Sequence, residues 1–396
     1  MKKATRQLTK ELNMRLVLKT AYDRGEISRA DIARATRLTR TTVSDLVAEW
    51  IDQGLLVEVG YGDPTGGKPP RLISVNEDGR QLISVDLSKD VLRGALVNLR
   101  GKVCCQVETP ALGLSGDEIL EAVCSLIDHL QEQASAPLLG IGIATPGLVD
   151  TRQGVVRKAV NLGWTNYPLR RLLEEHYSVP IYIANDSHIA ALAEYTFGNG
   201  GQISNLVVIK VDQGIGSGIV LSGKIHYGDG FGAGEIGHLN VVENGRQCSC
   251  GNYGCLETVA STRAVVQSAR DYALTHPASF LAASVASIEQ ISFDHVLEAF
   301  EQGDRGVKEI VQVAGKYLGT SIANLIGILD IHKLVISGDL IAFGDALLEA
   351  VQKEIPAKVL STMAAETEIT FSALESSQHG ILGTSALVLS NELGLP

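Results

Sequence analysis

The chain has 396 residues, 45% hydrophobic and 20% charged, the balance of a folded protein with ample core and room for two or three domains. Six cysteines at this length make no disulfide framework, Met1-Lys2-Lys3-Ala4-Thr5-Arg6 leads into no apolar signal segment, and no run approaches the ~18 apolar residues of a membrane span. These features exclude a stapled secreted scaffold and a membrane protein, and the expected location is the cytoplasm. The net charge of −11 is uneven, because residues 1–40 carry 11 Lys/Arg against 4 Asp/Glu. A basic head on an acidic body suits a head that meets a polyanion.

In chain order, Leu12, Leu16, Val17 and Ala21 fall at helical spacing and predict a first helix ending near Arg24-Gly25. Ser28, with Asp31 three residues on, predicts the cap of a second helix that turns Ile32, Ala33 and Ala35 inward and stops near Leu38. Thr39 caps a third, Arg40 to Gln53, with Val43, Leu46, Val47, Trp50 and Ile51 on one face and Gly54 as its stop. Helix, short turn and helix match a helix-turn-helix, whose second member enters a major groove. Leu55 to Tyr61, a Gly/Pro-rich tip at 62–70 and the alternating strand Arg71 to Val75 read as a hairpin, the wing. The candidate DNA contacts are Ser28, Arg29, Thr39, Arg40, Thr41, Thr42 and Ser44, with Lys68 and Arg71 from the wing: short hydrogen-bonding groups and cations suited to base edges and phosphates. A three-helix protein-interaction module is the alternative for the head, and a plain loop the alternative for the tip.

Next, Gln81 to Val85 and Arg93 to Leu99 predict strands joined by the turn Asp86-Leu87-Ser88-Lys89-Asp90. A helix follows over Asp117 to Gln133, then the buried strand Leu139 to Ala144. Strands at Ile181 to Ala184 and Leu206 to Val211 come later, the second ending in Asp212-Gln213-Gly214-Ile215-Gly216-Ser217-Gly218. Such a turn either presents backbone N–H groups to an anion or makes a tight hairpin.

The densest chemistry lies at His238, Cys248, Cys250 and Cys255, spaced H-x9-C-x-C-x4-C with glycines between the thiols. Three thiolates and an imidazole complete a tetrahedral Zn2+ shell, and with no open position the role is structural. A disulfide or unrelated buried thiols is the alternative, although a Cys-x-Cys pair rarely closes on itself and Cys104, Cys105 and Cys124 lie far off without ligand spacing.

From Val211 to Glu257 the run of Gly-Ile-Gly-Ser-Gly, Gly-Glu-Ile-Gly-His and Cys-Ser-Cys-Gly-Asn-Tyr-Gly-Cys-Leu-Glu resembles the ROK family of sugar-responsive repressors and sugar kinases. The resemblance extends over essentially the whole chain. It implies an α/β protein: an N-terminal winged helix-turn-helix (1–78), then a two-lobed actin-like (ribonuclease-H-like, sugar-kinase) fold with a structural zinc loop. The lobes are expected at 79–184, joined by a C-terminal helix at 380–396, and at 185–379. It further implies a sugar site of Pro146, Gly147, Asn161, Asn185, Asp186, Glu235, His238 and Glu257, amides and carboxylates that pair with hydroxyls. Read singly, Asn161 also suits a turn and Asp186 a helix N-cap.

Family kinases resemble Asp-x-Gly-Gly-Thr at the first turn, where this chain has Asp86-Leu87-Ser88-Lys89-Asp90, and Ser-Gly-Gly where it has Ser337-Gly338-Asp339. A carboxylate ~4 Å from a phosphate costs about 1 kcal/mol in water and about 4 at an effective dielectric of 20. Although Asp186 matches the kinases' catalytic base, the expectation is a non-enzymatic repressor. It binds pseudo-palindromic operator DNA as a homodimer or tetramer and is released by a free monosaccharide of the xylose or glucose class. A sugar kinase with a DNA-binding appendage, and a repressor controlled by a phosphosugar or protein partner, are the alternatives.

Overall fold

The structure is a computed structural model that describes residues 6–63, 69–87, 91–198 and 203–395. It divides into two units, Met1–Asp186 with Gly380–Pro396, and Ser187–His379.

The first unit begins with α1 (Arg6–Arg24), β1 (Ile27–Ser28), α2 (Arg29–Thr36), α3 (Arg40–Asp52), β2 (Leu56–Tyr61) and β3 (Arg71–Val75), the strands ordered β1-β3-β2. The inward face of α1 is Met14, Val17, Leu18, Ala21 and Tyr22, while Leu12 and Leu16, expected inside, are exposed. Both sets recur at helical spacing, and periodicity alone does not say which of two apolar stripes meets the core. On α2, Ile32 and Ala33 are buried and Ala35 is not, because the helix is two turns long and buries a narrow stripe. The α3 face is as expected, except that Ile51 is only half-buried. Trp50 is satisfied by donating its indole N–H to the Met14 carbonyl at 2.9 Å.

Next come β4 (Gln81–Asp86), β5 (Val91–Asn98), β6 (Val103–Pro110), α4 (Asp117–Gln133), β7 (Leu138–Thr145), β8 (Leu148–Asp150), β9 (Val155–Ala159), β10 (Trp164–Tyr167), α5 (Leu169–Glu174) and β11 (Ile181–Asn185). Five of these strands form one sheet, β11-β7-β4-β5-β6. The sequence signalled no strand at β6, because it is an edge strand whose side chains are exposed or only half-buried, including Cys104, Gln106 and Glu108. Helix α4 buries Ile119, Val123, Leu126, Ile127 and Leu130, each worth about 1.5–3 kcal/mol of gross transfer energy. The C-terminal helix (Gln378–Leu393) packs on β7 where Gly140 and Gly142 leave room: a Cβ on Gly142 would lie 2.6 Å from the Thr384 carbonyl oxygen. Three arginines join the three-helix head to this sheet and to the C-terminal helix. Arg100 donates to the Tyr22 carbonyl (2.7 Å) and stacks over its ring, Arg80 donates to Gln53 O (2.7 Å), and Arg15 donates to Asn391 O (3.2 Å).

The second unit contains α6 (Asp186–Thr196), β12 (Leu206–Val211), β13 (Ile215–Leu221), β14 (Lys224–Ile225), α7 (Glu257–Ala260), α8 (Thr262–Thr275), α9 (Phe280–Ala283), α10 (Phe293–Glu301), α11 (Arg305–Leu329), β15 (Lys333–Ser337), α12 (Asp345–Glu354), α13 (Ser361–Glu366) and β16 (Glu368–Phe371). Its sheet, β14-β13-β12-β15-β16, repeats the plan of the first: three antiparallel strands in sequence, then two parallel ones added beyond the first. In each unit, a parallel partner for the first strand requires a helical crossover, supplied by α4 in one and by α7–α11 in the other.

Candidate functional site: a thiol cluster and its carboxylates

In the second unit, one short loop system positions the predicted metal ligands. A 3-10 turn (Ile236–His238) presents His238, and the loop behind it is pinned by bridges between Asn240 and Cys255 and between Gln247 and Tyr253. The Cys248 N–H donates to Asn252 O (2.8 Å), and the Gly254 N–H to Arg246 O (2.9 Å). Gly254 has φ +70°, and a Cβ there would overlap the Val242 carbonyl oxygen, so the tight wrap requires glycine. His238, Cys248, Cys250 and Cys255 bring their ligand atoms within 4.8 Å of one another. Tetrahedral Zn–S and Zn–N bonds place donor atoms about 3.6–3.8 Å apart. The Cys250 and Cys255 sulfurs are 3.7 Å apart, and Cys248 Sγ lies 3.6 Å from His238 Nδ1. The donor set therefore fits a zinc-sized ion.

Cys248 and Cys255 are buried and Cys250 is exposed. Burial, and then the adjacent thiols of Cys250 and Cys248, push the Cys255 thiol up to about 12. Two carboxylates border the cluster. Glu235 Oε2 lies 3.8 Å from His238 Nε2, on the ring edge opposite Cys248. Glu257 accepts from the Ile215 N–H at 3.2 Å and lies 3.9 Å from Cys248 Sγ. An open cavity of about 870 Å3 adjoins the loop, lined among others by His238, Asn240, Glu243, Asn252 and Tyr253, side chains suited to a ligand rich in hydroxyls. Among the predicted sugar contacts, then, Glu235, His238 and Glu257 share one neighbourhood.

The glycine-rich turn resolves as a hairpin. Val211 pairs with Ile215, and the Asp212 N–H donates to Gly214 O at 2.9 Å. Cβ atoms on Gly216 and Gly218 would collide with Ser187 and Ala191, so these glycines let α6 lie close on β13. Asp339, expected to face a nucleotide, accepts from the Ser376 hydroxyl at 3.0 Å. Sequence gave no sign of a buried cluster in this unit: His379 Nε2 lies 2.9 Å from Glu194 Oε1, and Ser372 Oγ contacts both side chains. Glu194 lies 178 residues from Ser372 and 185 from His379, so no local spacing could have signalled it.

In the first unit, Asn185 closes β11 and donates its side-chain N–H to the Gly147 carbonyl at 2.8 Å, which ties it to the loop carrying Pro146. Asn161 lies in the 3-10 turn Val160–Leu162 with its side chain exposed, and Asp186 is the first residue of α6, half-buried. Asp86 and Leu87 are buried, and the rest of that turn, Ser88 to Asp90, lies outside the described residues.

In the head, Thr39 accepts from the Thr42 N–H (3.2 Å) and caps α3, leaving Arg40, Thr41 and Ser44 exposed. Ser28 is 3% exposed and committed to capping α2 through the Asp31 N–H, so its hydroxyl faces the protein. Arg29 and Arg71 are both paired with Glu58, a residue that sequence reasoning did not single out. Lys68 lies outside the described residues.

The family model described as "ROK family" matches residues 82–391. The chain is 32% identical to the xylose repressor of Caldicellulosiruptor bescii, covering 98% of both chains. It is also 32% identical to a glucokinase of Halalkalibacterium halodurans, but over 79% of this chain and 96% of that one. A solved ROK family transcriptional regulator, a homologue of the E. coli MLC protein, superposes with a TM-score of 0.86 at 27% identity, covering 97% of this chain and 98% of that one. No described helix is long and apolar enough to cross a membrane. A family match across most of the body and a regulator match across nearly the whole length identify the chain as a member of the ROK family.

Proposed function

We propose that the protein is a sugar-responsive transcriptional repressor of carbohydrate-metabolism genes. The observation that carries this reading is the head itself. Three helices and a hairpin precede a sugar-kinase body, and the third helix opens with the exposed polar residues Thr39, Arg40, Thr41 and Ser44. This is the composition of a winged helix-turn-helix whose α3 enters a major groove. A curated relative matched over 98% of this chain is a xylose repressor, whereas the glucokinase matches over only 79% of it.

The effector in this reading is a free monosaccharide of the xylose or glucose class. Its ligands are Pro146, Gly147, Asn161, Asn185, Asp186, Glu235, His238 and Glu257. Carboxylates and amides bind hydroxyls as both donors and acceptors, which suits them to a ring of hydroxyl groups. A structural zinc held by His238, Cys248, Cys250 and Cys255 would fix the loop carrying His238 and neutralise the thiolates. The protein acts in the cytoplasm as a homodimer, or a tetramer, on a pseudo-palindromic operator. Sugar and DNA favour different states, so each weakens the other's binding by the same factor. Phosphoryl transfer is not part of this function: the first turn has side chains where family kinases resemble glycines, and Asp186 then serves to bind a hydroxyl.

The test is fluorescence anisotropy on duplex DNA from upstream of the protein's own gene, at fixed salt, with a panel of free and phosphorylated sugars. Tight binding released by one free sugar is the expected result. Release only by a phosphosugar would replace the effector, and steady ATP turnover with a monosaccharide would restore the kinase alternative.

A further inference from the structure

Three elements of the head meet at one carboxylate. Arg29 is the first residue of α2, Glu58 lies on β2 and Arg71 begins β3. The pairing of β1 with β3, Ser28 opposite Leu72, brings the start of α2 beside Arg71. Glu58 Oε1 accepts from Arg29 Nη2 at 3.0 Å, and Glu58 Oε2 accepts from Arg71 Nη1. A bulge in the β2–β3 pairing follows Glu58, and Arg71 also lies over the Tyr61 ring, 5.9 Å from its centroid. These hydrogen bonds, from Arg29 first and then Arg71, hold the Glu58 carboxyl below the usual carboxylate range. The side chains of Arg29 and Glu58 are about 30% exposed and that of Arg71 is 58% exposed.

A guanidinium has five N–H donors, so one bond to Glu58 leaves each arginine able to bind a phosphate with its remaining edge. Both arginines are long side chains that would otherwise lose rotamer freedom on binding. We propose that Glu58 is a positioning residue for DNA: its carboxylate fixes Arg29 and Arg71 in advance as two phosphate donors. The inference rests on the DNA-binding reading of the head and adds a residue that reading does not use.

The sign of one substitution separates positioning from plain charge. Coulombic repulsion alone predicts that neutralising an acid near DNA strengthens binding. Positioning predicts the reverse. Glu58→Gln is expected to weaken binding to a labelled random-sequence duplex about tenfold, because two side chains must then be ordered during association. The dependence of log affinity on log salt should become shallower, by up to about two counterions. In an Arg29→Ala/Arg71→Ala background the same change should have no effect or slightly strengthen binding, whereas damage to the fold would weaken both backgrounds alike. Tighter binding by Glu58→Gln with a steeper salt dependence overturns the proposal, as does equal weakening in both backgrounds. The random duplex reads phosphate contacts alone, so failure to find an operator counts against the repressor reading, while an unchanged Glu58→Gln affinity counts against this one. Absence of any DNA binding by the unaltered chain overturns both.

Discussion

The thiol cluster and the start of α3 are both built on short turns, and they direct their polar groups in opposite ways. Around the cluster, His238, Cys248, Cys250 and Cys255 converge within 4.8 Å, and backbone hydrogen bonds hold the loop closed. On α3, Arg40, Thr41 and Ser44 diverge into solvent, and the hydroxyls of exposed Thr39 and half-buried Thr42 bond each other at 2.8 Å. A metal shell must be complete within the fold, because an unpaired buried thiolate is costly. A DNA-reading surface must be left incomplete until the duplex supplies its partners. The same contrast divides the head's own cations and hydroxyls: Ser28 belongs to a cap and Arg29 and Arg71 to Glu58, so the groups open to bases are fewer than the residue types suggest.

Breaking the closed site should have the largest effect. Cys255→Ser removes one of four ligands and should weaken zinc binding by more than about 100-fold, since even outer-shell changes cost 10–100-fold. Elemental analysis should then find little zinc, against about one ion per chain beforehand. Limited proteolysis should cut between residues 240 and 257, and sugar release should be lost while the head still binds DNA. A serine variant that keeps its full zinc content would remove the closed-site half of the comparison.

The open site should respond less and more selectively. Arg40→Ala, at the exposed start of α3, is expected to lower operator affinity about 10–100-fold, as the loss of one base-contacting side chain does. Binding to random-sequence duplex should change far less, and competition anisotropy measures the ratio. Equal losses on both duplexes would make Arg40 a phosphate contact and not a base reader.

The smallest effect sharpens the comparison by isolating a residue that belongs to the scaffold. Ser28→Ala should cost about 1 kcal/mol of head stability through the lost cap. Asp31 is held below the usual carboxylate range, first by its hydrogen bond from Ser28 and then, against the cost of burial, by Arg34. Its folded value lies below the unfolded value of about 3.9, so its contribution is full above that pH and is lost as pH falls through the folded value. Thermal melts should therefore show the unaltered head losing stability on acidification below about pH 4, and the alanine variant losing less. Operator affinity of folded Ser28→Ala protein at neutral pH should be unchanged; a tenfold loss would return Ser28 to the DNA contacts.

Sequence alone went far in this chain wherever chemistry is local. The four candidate metal ligands sit within 18 residues, and their spacing with intervening glycines has few other uses, so the cluster is legible in the spacing itself. The α3 face and the helix Asp117 to Gln133 are equally plain, because a single apolar stripe at helical spacing has one way to be buried. Tertiary structure decided what the sequence left degenerate. It chose between the two apolar stripes of α1, and it showed an edge strand, β6, too polar to signal itself. It gave the glycines at 216 and 218 a packing role, as a close seat for α6. It also paired Glu58 with arginines 29 and 13 residues away, and His379 with a glutamate 185 residues away. The physical reason is the same throughout. Spacing along a chain fixes which groups can meet inside one loop or helix, but which distant groups meet is set only when the elements pack.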